Sequence, residues 1–251
     1  MTDPLKHIIN RINRTNRTIE QRYIDTDYTD SYVAFLDIMG MKNLVDRKYE
    51  DLRKVFNVIE AGKELYANIR VSSGNTFIGH KQVKITIISD SIVLSIDSNI
   101  GQAFSKIIGF ASYLIQNFLK TLDIPVFVRG AITKGPIFQD PNVVFGPALV
   151  DAYTLESEVA SSMRCIISNV LLSDSTVIKY MEMRTNALVR DPADNIYFIK
   201  FARDDNFELL LESTTQMLNS SEKDKIKDKY AWLKSYIERE KRIHFLGSDP
   251  I

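Results

Sequence analysis

Blocks of hydrophobic and polar residues alternate along this chain and predict strands intermixed with helices. Short apolar runs rich in β-branched residues predict strands at 32–37, 83–96, 126–133 and 165–167. The run at 83–96 is interrupted by Ser89-Asp90-Ser91, which predicts a hairpin with Asp90 in its turn. Apolar residues at helical spacing predict helices over 49–69, 104–122 and 146–162.

Taken in order, these elements indicate an α+β protein with a mainly antiparallel sheet, helices on one face and a ferredoxin-like core. Lys134-Gly135-Pro136 predicts a turn before a return strand. Residues 196–201 and 207–211 predict an added hairpin, and 222–243 a charged helix. We therefore divide the chain into an N-terminal arm, a catalytic domain and a C-terminal helical extension, at residues 1–30, 31–212 and 213–251.

Composition narrows the classes of partner. Lys and Arg total 32 of the 251 residues and Asp and Glu also total 32, so no overall positive charge favours nucleic acid. Cys165 is the single cysteine, which suits a reducing compartment. The N-terminus lacks the apolar run of a signal peptide, and no stretch approaches a membrane span of about 20 residues. The expected location is the cytoplasm, without a membrane or nucleic-acid partner.

Two aspartates stand where an apolar strand meets a turn, Asp37 before Gly40 and Asp90 within the 83–96 hairpin. A carboxylate at the end of a buried strand is costly unless a cation or hydrogen bonds satisfy it. Two such strands lying side by side would bring the carboxylates together to hold divalent metal ions, and the glycine turn would seat a phosphate. The alternative is that each aspartate is a helix cap or turn residue and Gly40 an ordinary turn glycine.

Four segments in order carry a family resemblance. Phe35-Leu36-Asp37-Ile38-Met39-Gly40-Met41 resembles the first metal-binding segment of class III nucleotide cyclases, and Ser89-Asp90 resembles the second. Residues 128–135 are similar to the Arg-x-Gly-Ile-x-x-Gly strand of that family, with Ala131 in place of its first glycine. Residues 146–156 are similar to its segment ending in Leu-Glu. The resemblance covers about residues 31–170.

The resemblance implies a two-metal enzyme that forms a 3′,5′-cyclic nucleotide and releases pyrophosphate. The implied ligands of two Mg²⁺ or Mn²⁺ ions are Asp37, Asp90 and the backbone carbonyl of Ile38. Backbone amides from Met39, Gly40 and Met41 onward would hold the β- and γ-phosphates, with added charge from Lys42. The family places its sites at a homodimer interface.

Departures from the family pattern indicate an unusual substrate. Thr86 and Val143 stand where the family reads a purine base, and Val150 and Thr154 stand at its transition-state asparagine and arginine. This pattern resembles the pyrimidine cyclases of bacterial anti-phage (Pycsar) systems. That branch implies conversion of UTP, or else CTP, to a cyclic nucleotide that activates a separate effector protein. Three residues are then candidates for the altered functions: Arg129 in catalysis, and Tyr32, Thr86 and Arg129 in contacts to the base.

Other interpretations stay open from the sequence. Arg129 is equally explained as a structural ion pair, and Tyr32 as a core residue. The losses at Val150 and Thr154 suit a catalytically silent module that binds nucleotide. A ferredoxin-like interaction or RNA-binding protein is a third hypothesis, which requires exposed aromatic residues and a basic patch on the sheet.

Overall fold

A computed structural model describes most of the chain. The described residues are 27–41, 49–67, 69–73, 76–80, 83–184, 186–220 and 224–247. Most of the predicted N-terminal arm therefore lies outside the described residues, as does Lys42.

The first half of the chain forms the elements that the hydrophobic pattern predicts. Strand β1 is followed by helix α1, which ends in a π-helical turn, by the separate hairpin β2–β3 and by the hairpin β4–β5. Their bounds are Thr29–Ile38 (β1), Tyr49–Gly62 (α1), Lys63–Ala67 (the π-helical turn), Ile69–Ser73 (β2), Thr76–His80 (β3), Lys84–Ile88 (β4) and Ser91–Asp97 (β5). The predicted hairpin with Asp90 in its turn is confirmed.

The second half contains the longest strand and most of the helices. The bounds are Ala103–Thr121 (α2), Val128–Gln139 (β6), Val144–Phe145 (β7), Pro147–Thr154 (α3), Leu155–Val159 (a π-helical turn), Cys165–Ile167 (β8), Asn169–Ser173 (a 3-10 turn), Ser175–Met183 (α4), Leu188–Arg190 (β9), Tyr197–Ile199 (β10), Phe207–Ser220 (α5) and Asp224–Leu246 (α6).

The main sheet confirms the predicted fold class. Its strand order is β4-β5-β1-β6-β8-β10-β9, with β7 pairing on β6. The elements β1, α1, β4, β5, α2 and β6 follow one another in the chain as in a ferredoxin-like unit. In the sheet the first of these four strands, β1, lies between the third, β5, and the fourth, β6, as that unit requires. Every neighbouring pair in the sheet is antiparallel except β6 with β8.

The two faces of β1 bury different sets of residues. Tyr32, Leu36 and Ile38 belong to the main core, together with residues of α1 and α2. Val33 and Phe35 point the other way and pack against residues of α3. The two sets differ because successive side chains of a strand point to opposite faces of the sheet. The long helices thus share one face as predicted, and the short helix α3 covers part of the other face.

Two sequence predictions about local structure are wrong. Lys134-Gly135-Pro136 is no turn, because β6 continues unbroken to Gln139. On one side of β6, Pro136 pairs with Asp30 of β1. On the other side, β7 and β8 pair with other parts of β6, so no strand there requires the backbone N–H that Pro136 lacks. Residues 207–211 start helix α5 rather than a strand. The hairpin partner of β10 is β9, which is only three residues long.

The C-terminal helices pack on the main core. Leu210 of α5 and three residues of α6, Leu233, Tyr236 and Ile237, belong to the same hydrophobic cluster as the sheet. The boundary that we placed between residues 212 and 213 falls inside α5. Within the described ranges, no helix is both long and apolar enough to cross a membrane.

Candidate active site

Asp37 lies near the end of β1, on the sheet face that α3 partly covers. It follows Val33 and Phe35 in the alternation of the strand and is half-buried, with 24% of its side chain exposed. In the strand register it stands between Ser91 of β5 and Arg129 of β6. A carboxylate is therefore held in the middle of three strands, at the end of the sheet.

Asp90 is held beside the end of β1 by the turn between β4 and β5. Ser89 adopts a positive φ of 57°, and the backbone N–H of Ile38 donates a hydrogen bond of 2.8 Å to the carbonyl of Asp90. Burial raises the pKa of Asp37 against the opposing charge of Arg129, and the charge of Asp90 raises it further. The two carboxylates predicted from the sequence are thus within electrostatic range of each other.

Arg129 links Asp37 to a second acidic residue, Glu156. Its Nη2 lies 3.6 Å from Oδ2 of Asp37, and its Nε forms an ion pair with Oε1 of Glu156, which is almost fully buried. The next residue, Gly130, has no room for a side chain, because a Cβ would lie 2.4 Å from the carbonyl oxygen of Phe35. This close approach of β6 to β1 sets Arg129 directly beside Asp37.

The donor set fits a magnesium or manganese ion. Asp37 and Asp90 can supply carboxylate oxygens, and Ile38, whose N–H bonds to Asp90, can supply a backbone carbonyl. These are the hard oxygen ligands that both ions prefer. Two neighbouring carboxylates repel each other, and a bound cation would relieve that repulsion. Among the described residues no three His, Cys, Asp or Glu side chains group into a metal site. Substrate phosphates and water would have to complete the coordination.

The turn after Asp37 leaves space for an anion. The N–H of Met39 donates to the carbonyl of Phe127 at 2.9 Å, and Gly40 has a positive φ of 78°. A Cβ built on Gly40 would meet no atom within 4 Å, so the backbone borders open space. Met41 is buried, and Lys42 lies outside the described residues.

Two of the three candidates for base contacts, Thr86 and Tyr32, lie on opposite faces of the sheet. Thr86 lies on the same sheet face as Asp37 and lines a cavity with Asn142 and Val143. Tyr32 lies on the opposite face, buried against Phe104, and donates a hydrogen bond of 3.1 Å to Asp174. This placement makes Tyr32 a core residue and gives no support to its predicted contact with a base.

Buried hydrogen bonds orient the hydroxyl of Thr86. The side-chain amide of Gln139 donates to Oγ1 of Thr86 at 2.9 Å, and its oxygen accepts from the hydroxyl of Ser95. Gln139 and Ser95 are both buried. Because the oxygen of Thr86 accepts this bond, its own proton is available to an acceptor in the cavity.

Sequence reasoning missed two charged residues of the site, Glu156 and Lys229. Burial raises the pKa of Glu156, against opposing effects of Arg129 and Lys229. The charge of Lys229 acts on Asp37 as well. Glu156 lies in the segment that resembles the cyclase family, which was a usable signal. Lys229 lies in a helix of many charges, where nothing in the sequence distinguishes it.

Comparisons with known proteins found likenesses of fold only. No protein-family model and no curated protein matches the chain. The catalytic core of a rhodopsin-guanylyl cyclase with converted specificity, in complex with ATPαS, has a TM-score of 0.43 and 16% identity, over 70% of this chain and 97% of that one. A bacterial light-regulated adenylyl cyclase has a TM-score of 0.47 and 11% identity, over 93% and 70%. An adenylate/guanylate cyclase/hydrolase from Silicibacter pomeroyi has a TM-score of 0.44 and 13% identity, over 68% and 96%. All three TM-scores lie below 0.5, so the functional interpretation rests on the geometry of the site.

Proposed function

We propose that this protein is a pyrimidine nucleotide cyclase that converts UTP to 3′,5′-cyclic UMP and pyrophosphate. The observation that carries the proposal is the convergence of Asp37 and Asp90 at the ends of paired elements, next to the open turn at Gly40. Carboxylates beside an anion-accepting turn suit a metal-bound triphosphate. The four-segment resemblance to class III cyclases agrees with this chemistry.

The residues of the site have distinct roles in this proposal. Asp37, Asp90 and the carbonyl of Ile38 hold two Mg²⁺ or Mn²⁺ ions, which supply activation of the ribose 3′-hydroxyl and neutralisation of the leaving pyrophosphate. The backbone N–H groups of Gly40 and Met41, continuing to Lys42, hold the β- and γ-phosphates. Met39 shapes the turn and does not bind a phosphate, because its own N–H donates to Phe127.

Arg129 is the cation nearest to Asp37 among the described residues that form ion pairs, and it is proposed as a catalytic residue. Its guanidinium is kept in place by Glu156 on one side and Asp37 on the other. A fixed positive charge beside the reacting phosphate would stabilise the charge that develops there in the transition state. This would offset the absence of the asparagine and arginine that Val150 and Thr154 replace.

Thr86 is proposed to contact the base of a substrate bound across a homodimer, as a hydrogen-bond donor from the second subunit. Its proton is available because Gln139 occupies its oxygen. Uracil offers a carbonyl acceptor and cytosine a ring-nitrogen acceptor, so this single donor suits UTP and CTP alike. Val143, in the same cavity, has no polar side-chain atom with which to read a purine amine. UTP is the first choice of substrate and CTP the alternative.

Incubation of the purified protein with ATP, GTP, CTP and UTP in separate Mn²⁺-containing reactions tests the activity. We expect a 3′,5′-cyclic product and pyrophosphate from a pyrimidine triphosphate, and at least about tenfold less product from either purine, a preference worth about 1.4 kcal/mol. Liquid chromatography with mass spectrometry identifies the product. Formation of no cyclic nucleotide from any of the four contradicts the proposed function.

A silent nucleotide-binding module is the second candidate. Two residues of α3 favour it, because they stand where the cyclase family has its transition-state residues. Val150 is apolar and 61% exposed, and Thr154 carries no charge. Neither side chain replaces the cation of the family pattern. Binding of UTP without turnover at any metal concentration would favour this module over the enzyme.

We also propose that a second copy of the chain covers an exposed apolar surface, the α3 patch, which comprises Tyr28, Phe145, Val150 and Tyr153. These four side chains are between 41% and 61% exposed. Tyr153 contacts Phe35, two residues before Asp37, so the patch continues the sheet face that carries the site. A large exposed apolar patch marks an interaction surface. A symmetric dimer through this face would complete two sites at once.

A charge at the centre of the α3 patch should separate the subunits. Val150→Glu is expected to raise the dimer dissociation constant at least about tenfold, because burying an unpaired carboxylate at an interface is costly. Sedimentation equilibrium over a range of protein concentrations measures it. Val170→Glu is the matched control, since Val170 is similarly exposed (64%) but lies outside the patch. A monomeric wild-type protein, or equal effects of both variants, would refute the assignment.

The biological role proposed from the resemblance is anti-phage defence. The cyclic pyrimidine nucleotide would then be a second messenger that is released from this enzyme in the cytoplasm and activates a separate effector protein. The product assay identifies the messenger that such an effector must bind.

A further inference from the structure

Helix α6 brings Lys229 to the edge of the proposed phosphate site. Lys229 lines a cavity of about 240 Å³ together with Met39 and Gly40 of the turn after β1 and with Val126 and Phe127 before β6. The same turn provides the open space at Gly40. The C-terminal helix, which the sequence suggested was an extension, is therefore part of the wall of the site.

The position of Lys229 is fixed by the packing of the helix around it. Leu233, one turn later, is fully buried, and Trp232 donates a hydrogen bond of 2.7 Å to Asp191. Further along, the hydroxyl of Tyr236 accepts from the backbone N–H groups of Phe201 and Ala202. A helix held at these points presents Lys229 from a rigid element, as precise binding requires.

The charge of Lys229 is directed at the site and is not neutralised by a single partner. Burial raises the pKa of Asp37 and of Glu156, and the charge of Lys229 opposes that rise in both groups, so the ammonium lies within electrostatic range of both. No ion pair joins Lys229 to any residue in the described ranges. Arg129, in contrast, is already paired with both carboxylates. Among the described residues that line this cavity, Lys229 is thus the one that carries a positive charge for an incoming anion.

The apolar residues around Lys229 strengthen the attraction of its ammonium group for an anion. The cavity is lined mainly by apolar side chains, among them Ile124, Phe127, Met163 and Met217. The aliphatic stem of a lysine packs well on such a surface while its ammonium reaches a polar edge. A charge at the edge of an apolar wall acts over a longer distance than one in bulk water.

We propose that Lys229 binds the terminal phosphates of the triphosphate substrate, from the same subunit that provides Asp37. This inference rests on the proposed function and extends it, because it assigns a substrate-binding role to the C-terminal helix. Lysine is a compact cation that suits phosphate oxygens. The contact is made to the β- or γ-phosphate and not to the nucleoside, so it should be the same for UTP and CTP.

The test compares a ligand that has the phosphate chain without a nucleoside with a ligand that has the nucleoside and a single phosphate. Isothermal titration calorimetry of the full chain with inorganic tripolyphosphate and with UMP, both with Mg²⁺, is done on the wild type and on Lys229→Met. We expect the variant to bind tripolyphosphate roughly tenfold more weakly and UMP within about twofold of the wild type. Lys229→Arg should restore most of the tripolyphosphate affinity. In turnover assays the Lys229→Met variant should raise KM more than it lowers kcat.

Lys227→Met is the matched control, because Lys227 is exposed on the same helix two residues earlier and does not line the cavity. It should bind both ligands as the wild type does. The inference is overturned if the wild type binds no tripolyphosphate, if Lys229→Met binds it normally, or if Lys227→Met weakens binding equally. Because these titrations need no turnover, a failure to form any cyclic nucleotide would reject the cyclase proposal and leave the phosphate contact to be judged separately.

Discussion

Replacing Asp37 with asparagine is expected to slow formation of the cyclic nucleotide by about 10³-fold, which corresponds to roughly 4 kcal/mol of lost transition-state stabilisation. Asparagine keeps the shape of the side chain and removes the charge that we propose holds the metal ions. Asp90→Asn should have an effect of the same order, and the double variant should be little worse than either one, since residues that act as a unit are not additive. Initial rates with UTP and Mn²⁺ measure all three.

Loss of activity in these variants should not come from loss of structure. Burial raises the pKa of Asp37, and the charge of Asp90 adds to this despite Arg129, so the ionised side chain is less favourable in the folded protein than in the unfolded chain. The metal-free Asp37→Asn protein should therefore unfold at the wild-type temperature or above it. Asp204→Asn is the control for rate, because Asp204 is an exposed aspartate in the segment between β10 and α5. A wild-type rate in Asp37→Asn would exclude the metal-dependent mechanism.

Replacing Arg164 with methionine is expected to lower the free energy of unfolding by about 3–5 kcal/mol. Arg164 is fully buried, pairs with Asp191 at 2.5 Å and with Asp194, and its guanidinium lies 5.4 Å from the centre of the Trp232 ring. Methionine fills similar space but leaves the buried charge of Asp191 without its partner. The ion pairs join the segment before β8 to the turn between β9 and β10, and Trp232 of α6 bonds to the same Asp191. Loss of the arginine should therefore lower the stability of the whole domain. Urea unfolding followed by circular dichroism measures it.

The ion pair predicts how this loss depends on pH. Burial by itself would raise the pKa of Asp194, but hydrogen bonds from Arg164 and from the backbone N–H of Ile196 lower it below its usual value. A lowered carboxyl pKa contributes stability above the unfolded pKa, and that contribution is lost as the pH falls through the folded pKa. The difference between the wild type and Arg164→Met should therefore shrink on acidification below the usual carboxyl range.

The control for this variant is a pair on the surface. Lys120→Met removes the exposed partner of Asp205 and should cost no more than about 1 kcal/mol. A cost for Arg164→Met as small as that of Lys120→Met would show that the buried cluster does not stabilise the fold.

Local patterns were sufficient for the core of the fold because its elements are strongly periodic. The apolar stripe of 104–122 and the β-branched run of 83–96 match α2 and the β4–β5 hairpin. The errors fall where neighbours override local propensity. Gly135 and Pro136 suggest a turn, yet pairing with β1 keeps β6 extended through them. Residues 207–211 are apolar enough for a strand, but continue into the helical residues of α5.

By itself the sequence determined the α+β class, the order of the core strands and helices, and the two aspartates at strand ends, since each depends on residues close together in the chain. Only the tertiary structure decided which charges surround those aspartates. Arg129 and Glu156 meet Asp37 through strand register and a π-helical turn, and Lys229 reaches it from a helix nearly 200 residues later. Electrostatic interactions depend on distance in space and not on separation in sequence, so no periodicity of the chain reveals them.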